Sequence, residues 1–168
     1  LPVVGITGSN GKTVVKDWLS WLLELDKQVC RSPKSYNSQI GVPISVWQLD
    51  AQDDMGIFEA GISQPGEMAR LAAVIAPTHG IFTHLGDAHA ENFPNQAAKV
   101  AEKMLLFEHA RCLVIRTDHP LLAEAAERWK QAHPEGRLLH WGANQQASWR
   151  LVDTSRAGEQ SQIQLVHG

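Results

Sequence analysis

The chain has only two cysteines, no surplus of positive charge and no long hydrophobic run. Cys30 and Cys112 stand far apart and belong to no C-x-x-C pattern, which excludes a disulfide scaffold and points to reduced thiols in a cytoplasmic protein. The longest uncharged run with strong apolar content, 71–86, is broken by Pro77, Thr78, His79 and Gly80. It falls short of the roughly 18–20 apolar residues that a membrane helix needs. No basic segment followed by an apolar one opens the chain, so no secretory leader is visible. The formal net charge of −3 lacks the basic face of a nucleic-acid binder. Residues 1–110 carry a balance of −4 and residues 111–168 one of +1. An anion site in the first part must therefore be built locally, from loop amides and one or two lysines.

What is present suits a single folded unit. The 168 residues are 43% hydrophobic and 20% charged, enough to bury one sizeable core. The chain opens without methionine, directly on an apolar run, which leads to the expectation that it is a piece of a longer protein. Val3-Val4-Gly5-Ile6-Thr7 reads as a buried strand, and Val14, Val15, Trp18, Leu19, Leu22 and Leu23 then recur at helical spacing. Met55–Glu59, Gly80–Thr83 and Cys112–Ile115 are further short strand-like runs, separated by helical stretches near 65–76 and 95–109, with another over 120–132. This alternation predicts an α/β fold over 1–133, a mainly parallel sheet flanked by helices on both faces. Beyond His133-Pro134-Glu135-Gly136 come Arg137–Trp141, Ser148–Val152 and Gln162–Val166 with no helix between them. They are expected to form a small antiparallel β extension over 134–168.

The strongest chemical signal is Thr7-Gly8-Ser9-Asn10-Gly11-Lys12-Thr13, set between a strand and an amphipathic helix. Glycines at Gly8 and Gly11 let the amides around Ser9 and Asn10 turn toward a phosphate chain, and the helix N-terminus adds a favourable partial charge. Lys12 can reach the β- and γ-phosphates, and the Thr13 hydroxyl can meet Mg²⁺. The spacing departs from G-x-x-x-x-G-K-[ST], because Ile6 stands where the first glycine belongs. Mg²⁺ on such a loop needs a carboxylate from a neighbouring strand end, and Glu59, followed by Ala60-Gly61, is placed for it. His79, His84 and His89 do not read as a zinc site, since a strand separates the first two. His89 lies in the loop after that strand, on the edge where Glu59 emerges. Lys99 and Lys103 lie one turn apart on an otherwise apolar helix, where lysines are ordinarily solvated. The loop Asn37–Pro43 has no role assignable from composition.

Taken in order, Thr7–Thr13, Asn37–Pro43, Glu59-Ala60-Gly61 with Gly66-Glu67-Met68, Thr83–Phe93, and Glu102-Lys103 before Phe107 resemble the central ATPase domain of the Mur ligases. The resemblance is close over residues 3–120 and looser beyond. Ile40–Pro43, Gly66–Met68 and Ala88–Phe93 are similar to the branch that joins D-alanyl-D-alanine to UDP-N-acetylmuramoyl-tripeptide in peptidoglycan synthesis. Ser32–Gln39 looks like the form fused to an alanine racemase. The resemblance implies ATP and two Mg²⁺, flanking Mur ligase domains absent from these 168 residues, and an amide ligase working through an acyl phosphate. It implies that Lys12 holds the phosphates, that Thr13 and Glu59 bind one Mg²⁺, that His89 helps bind a second, and that Lys103 is carbamylated into a metal ligand. Asp118 is the residue retained from an adenine-side motif, in Arg116-Thr117-Asp118-His119. Ser38 and Gln39 depart from the family, which has Asn and an acidic residue there, and His84 stands in place of an asparagine. Neither nucleic acid nor membrane is an expected partner, and these residues alone are not expected to form the peptide bond. The other readings kept open are a folylpolyglutamate-type or different Mur-type ligase and a nucleotide-binding module without catalysis.

Overall fold

The computed structural model describes residues 1–86, 90–144, 147–158 and 160–167. The chain runs β1 (Val3–Thr7), α1 (Lys12–Leu23), β2 (Val29–Arg31), α2 (Gly41–Val46), β3 (Met55–Glu59), α3 (Glu67–Ile75), β4 (His79–Phe82), α4 (Gln96–Met104), β5 (Cys112–Arg116), α5 (Pro120–Ala132), β6 (Arg137–Gly142), β7 (Trp149–Ala157) and β8 (Gln160–His167). One sheet orders them β2-β3-β1-β4-β5-β6-β7-β8. Every neighbouring pair is parallel except β7–β8, which is antiparallel.

The central strands are short apolar runs because both of their faces are covered. From β1, Val4 and Ile6 pack with Ile57 beneath Val15, Leu19 and Leu23 of α1. Val3 and Phe58 point into the larger core on the other side, which holds Met68, Leu71, Val100, Leu113, Ala126 and Trp129. Helices α2, α3, α4 and α5 contact one another in succession on that side. The α1 connection leads away from β1 toward β2, while the α3 connection crosses back over β1 to β4. With right-handed crossovers these two helices lie on opposite faces, so the carboxyl ends of β1 and β3 flank the topological switch point where open α/β sheets bind ligands.

Two expectations about elements are corrected. Arg137–Trp141 does not start an antiparallel extension: α5 returns the chain so that β6 pairs parallel with β5 from Cys112↔Arg137 to Arg116↔Trp141. β7 also meets β6 in parallel, at Trp141↔Trp149 and Gly142↔Arg150. It needs no crossover helix because it begins beside the end of β6 and continues past it; only β7–β8 is an antiparallel ribbon. In α1, half of the apolar set faces outward: Val14, Trp18 and Leu22 are 52%, 70% and 56% exposed, while Lys16 and Ser20 are buried. Among the described residues, no helix is long and apolar enough to cross a membrane.

Candidate functional site

The turn after β1 is shaped by two glycines with positive φ, Gly8 at 144° and Gly11 at 83°. Gly8 admits no side chain, since a Cβ there would land on Thr83 Oγ1 of the loop after β4. That loop lies along the glycine turn. Ser9 N donates to the His84 carbonyl at 2.7 Å. Thr83 Oγ1 donates to the carbonyls of Asn10 at 2.6 Å and Thr7 at 3.2 Å. Ser9 Oγ donates to the Gly86 carbonyl at 3.0 Å. Gly11 leads into Lys12, the first residue of α1, so the positive end of the helix faces the turn.

Glu59 closes β3 with its side chain fully buried. Thr13 Oγ1 donates to Glu59 Oε2 at 3.0 Å. Octahedral Mg²⁺ with oxygen ligands at about 2.0–2.1 Å sets neighbouring ligands about 2.9 Å apart. The Thr13 and Glu59 oxygens therefore have the chemistry and spacing of two adjacent ligands on one such ion. The other carboxylate oxygen, Oε1, takes a hydrogen bond from Lys16 Nζ at 3.1 Å, and both side chains are fully buried. Lys16 Nζ also donates to the carbonyls of Ser32, at 2.8 Å, and Lys34. Asn37 Nδ2 reaches Glu59 Oε2 at 3.4 Å. A Cβ on Gly61 would come 2.8 Å from Asn37 Oδ1, so this glycine gives the asparagine its room. The Glu59 carboxylate is thereby paired with one lysine through Oε1 and turned toward Thr13 through Oε2.

Three more cations converge here. Lys12 Nζ folds onto the carbonyls of Gly8 at 2.9 Å and Ser9 at 3.3 Å. Lys103 Nζ, 3% exposed, donates to the Gly8 carbonyl at 3.3 Å. Lys99, 1% exposed, donates to the Gly86 carbonyl at 2.6 Å. Burial pushes the Lys103 ammonium down to about 7, and the nearby charges of Lys12 and Lys99 push the same way. Lys12 is lowered too, by burial first, with Glu59 opposing and Lys99 adding to it. A cavity of about 230 Å³ opens between these groups, with Gly8, Ser9, Lys12, Asn37, Ser38 and Lys103 in its wall. Closely spaced ammonium groups around a hollow favour a polyanion, which removes the repulsion that the empty arrangement carries.

Of the residues singled out from sequence, Gly8, Ser9, Lys12, Thr13, Glu59 and Lys103 thus meet in one place. His89 lies outside the described residues. Asp118 follows β5 on the same edge of the sheet, two strands from β1, about 10 Å at the usual strand spacing. Its carboxylate takes the Arg116 Nε–H at 2.6 Å and the amides of Ala143 at 2.7 Å and Asn144 at 3.2 Å. Burial raises this group, but those donors outweigh it and hold its pKa below the ordinary value. Gln39 is turned away from the cavity: Nε2 donates to the Glu67 carbonyl and Oε1 accepts from Arg70. Ser38 stays in the cavity wall, its Oγ accepting from Gly41 N at 3.1 Å. Sequence reasoning misses Lys16, reads Lys99 as an ordinarily solvated helical lysine although it is buried, and gives Asn37 no role. For Lys16 a signal existed, since it stands one helical turn after Lys12 and one before Ser20, a polar stripe on an otherwise apolar helix.

The Mur ligase middle domain family matches residues 6–167. A UDP-N-acetylmuramoyl-tripeptide--D-alanyl-D-alanine ligase of Synechocystis sp. is 32% identical over 145 residues, covering 84% of this chain and 31% of the relative. The enzyme of that name from Mycobacterium leprae is 33% identical over 130 residues, 76% of this chain and 25% of its own. The MurF ligase of Thermotoga maritima, solved in complex with ADP, superposes with a TM-score of 0.84 at 26% identity, covering 98% of this chain and 38% of that one. The chain spans about a third of the length of such curated relatives.

Proposed function

The chain belongs to the Mur ligase family as a middle domain, and from that premise we propose that it is the ATP-binding part of a ligase adding D-alanyl-D-alanine to UDP-N-acetylmuramoyl-tripeptide. The observation that carries this reading is the pairing of Thr13 Oγ1 with Glu59 Oε2 at 3.0 Å beside a glycine turn faced by Lys12 and Lys103. Its support from relatives is that the Synechocystis and Mycobacterium leprae proteins bear that name and that the Thermotoga maritima ligase holds ADP.

In this mechanism the glycine turn and the α1 N-terminus take the phosphates through backbone amides. Lys12 leaves the carbonyls of Gly8 and Ser9 and follows the γ-phosphoryl group as it moves to the tripeptide's carboxylate. The amine of D-alanyl-D-alanine then attacks the carbonyl carbon of the acyl phosphate: the N–C bond forms, the C–O bond to phosphate breaks, and phosphate and one amine proton leave. The reactants are anionic, so most of the barrier is electrostatic, and preorganised cations address it. Thr13 and Glu59 would hold one Mg²⁺, with His89 and Lys103 serving a second; bound there, the ions neutralise and align the phosphates. Lys16 holds the Glu59 carboxylate in orientation without lining the cavity. The Lys103 amine, in its neutral form, can add to CO₂: an N–C bond forms, one proton leaves, and a buried cation becomes an anionic oxygen donor. Asp118, two strands away, lies where the nucleoside end of the nucleotide would reach.

The flanking Mur ligase domains would carry the tripeptide and acceptor, so these residues alone bind nucleotide but do not form the amide bond. The free thiols of Cys30 and Cys112 suit a cytoplasmic setting. Ser32–Gln39 supports the racemase-fused form, which the gene's reading frame would decide. Calorimetric titration with ATP, with and without Mg²⁺, tests the core of the reading. Mg²⁺-dependent binding that is lost in Lys12→Ala and weakened in Glu59→Gln is the expected result. Binding indifferent to Mg²⁺ would instead indicate a nucleotide module without catalysis. Acceptor identity is tested in the intact protein by ADP release: D-alanyl-D-alanine should stimulate it, and stimulation by another amino acid alone would redirect the assignment.

A further inference from the structure

Helix α4 sends two buried lysines, one turn apart, to different carbonyls of the nucleotide site. Lys103 takes Gly8 in the glycine turn, and Lys99 takes Gly86 at the end of the loop after β4. Lys99 cannot be read as a solvated helical lysine, since only 1% of it is exposed. The Gly86 carbonyl is a shared acceptor, held by Lys99 Nζ at 2.6 Å from the α4 side and by Ser9 Oγ at 3.0 Å from the glycine turn. Between Thr83 and Gly86 the two loops touch backbone to backbone. Ser9 N and Thr83 N each donate across the gap, at 2.7 Å to His84 O and 2.9 Å to Thr7 O. Gly8, with φ 144°, has no space for even a Cβ against Thr83. Any drift of the 83–86 loop would therefore displace the glycine turn that leads into the α1 N-terminus. The amine also stands within electrostatic reach of Lys12 and Lys103. A fold needing only a spacer would be served by an apolar side chain.

We propose that Lys99 is a positioning residue of the nucleotide site: by holding the Gly86 carbonyl it keeps the 83–86 loop clamped on the glycine turn, so that the turn and the α1 N-terminus it leads into stay in their phosphate-binding arrangement. It acts through the loop, without contact with the nucleotide. The inference rests on the nucleotide-binding reading above.

The test is calorimetric titration of the wild-type protein, Lys99→Met, Ser9→Ala and the double variant with MgATP, each paired with a thermal melt. Because a hydrogen bond from a charged donor is lost, Lys99→Met should weaken MgATP binding about ten-fold or more. The two substitutions remove donors from one carbonyl, so Ser9→Ala should cost several-fold in the wild type and less than about twofold in the Lys99→Met background. Lys99→Gln, a shorter uncharged donor, should fall between wild type and Lys99→Met. Lys130→Met, which removes a lysine bonded to the carbonyls of Pro134 and Gly136 at the opposite edge of the sheet, should leave MgATP affinity within about twofold whatever it does to the melting temperature. Wild-type affinity in Lys99→Met, independent multiplication of the two effects, or an equal affinity loss in Lys130→Met would each overturn the inference. So would failure of both Lys99 variants to fold, which would make the lysine a stability element. Wild-type protein that does not bind MgATP would overturn the nucleotide reading itself, whereas binding that Lys99→Met leaves unchanged would overturn this inference alone.

Discussion

Two ammonium groups reach the buried part of the site under opposite conditions. Lys16 is matched by the Glu59 carboxylate at 3.1 Å, while Lys103 meets the Gly8 carbonyl and the repulsion of Lys12 and Lys99. Removing Lys16 leaves a fully buried carboxylate without its counter-charge, and Lys16→Met should cost about 3–5 kcal/mol of stability in urea denaturation. Removing Lys103 should do the reverse near neutrality. Its folded pKa of about 7 lies below the ordinary 10.5, so between those values the unfolded chain binds more protons. Stability therefore rises with pH from about 7 to 10.5 on account of this group, and the penalty is constant below that window. Apo Lys103→Met should accordingly be the more stable protein at pH 7, its advantage shrinking as pH approaches 10; an advantage that grows with pH would contradict the assignment. The same contrast explains what the sequence discloses. Lys12 and Thr13 are legible because a glycine turn between strand and helix has few other uses. Lys16, Lys99 and Asn37 are not, because only tertiary packing distinguishes a helical lysine or a loop asparagine in the core from one in solvent.

At the scale of elements, α4 is the strut of the site, and its start is set by Asn95, whose side chain accepts from Ala98 N at 2.8 Å. The same helix caps its neighbour, since Glu102 Oε1 accepts from Gly66 N and Met68 N at the start of α3. Asn95→Ala should lower stability by about 1 kcal/mol, the usual worth of such a cap. Strand β4 is closely packed on the turn after α4, and a Cβ on Gly80 would land on the Phe107 ring. Gly80→Ala should thus cost about 1–3 kcal/mol through overpacking, read as a lower urea midpoint at unchanged slope. Elements with apolar runs, such as Met55–Glu59 and Cys112–Ile115, are legible in the sequence because burial on both faces writes itself into composition. Strand β2 is not legible: it is three residues at the sheet edge with only Cys30 buried. The direction of β6 is equally hidden, because a strand-like run after a helix looks the same whichever way it pairs, and α5 decides it by carrying the chain back along the sheet.

Across the whole molecule, the sheet divides into a ligand-bearing half and a solvent-facing end. The carboxyl ends of β1 and β3 meet the cavity, while β8 is exposed along its length, with Ile163 at 63%. Ligand binding stabilises only the structure that forms the site. MgATP at about 100 times its dissociation constant should add about 2.7 kcal/mol, which for a chain of this size raises the melting temperature by about 5–11 °C. Lys12→Ala should abolish that rise while leaving the apo melting temperature nearly unchanged, since the Lys12 ammonium bonds to loop carbonyls and anchors no element. Amide hydrogen exchange gives the same prediction spatial form. MgATP should slow exchange in β1, β3, the 83–86 loop and the first turn of α1, which share the clamp around Gly8 and Glu59. Exchange in β7 beyond Leu151 and in β8 should be fast in both states, because the ribbon there pairs only with itself and opens locally without disturbing the site. Protection that spreads evenly to β8 would mean the sheet responds as one cooperative unit, and the site could not then be treated as a structure held by the glycine turn, β3 and α4.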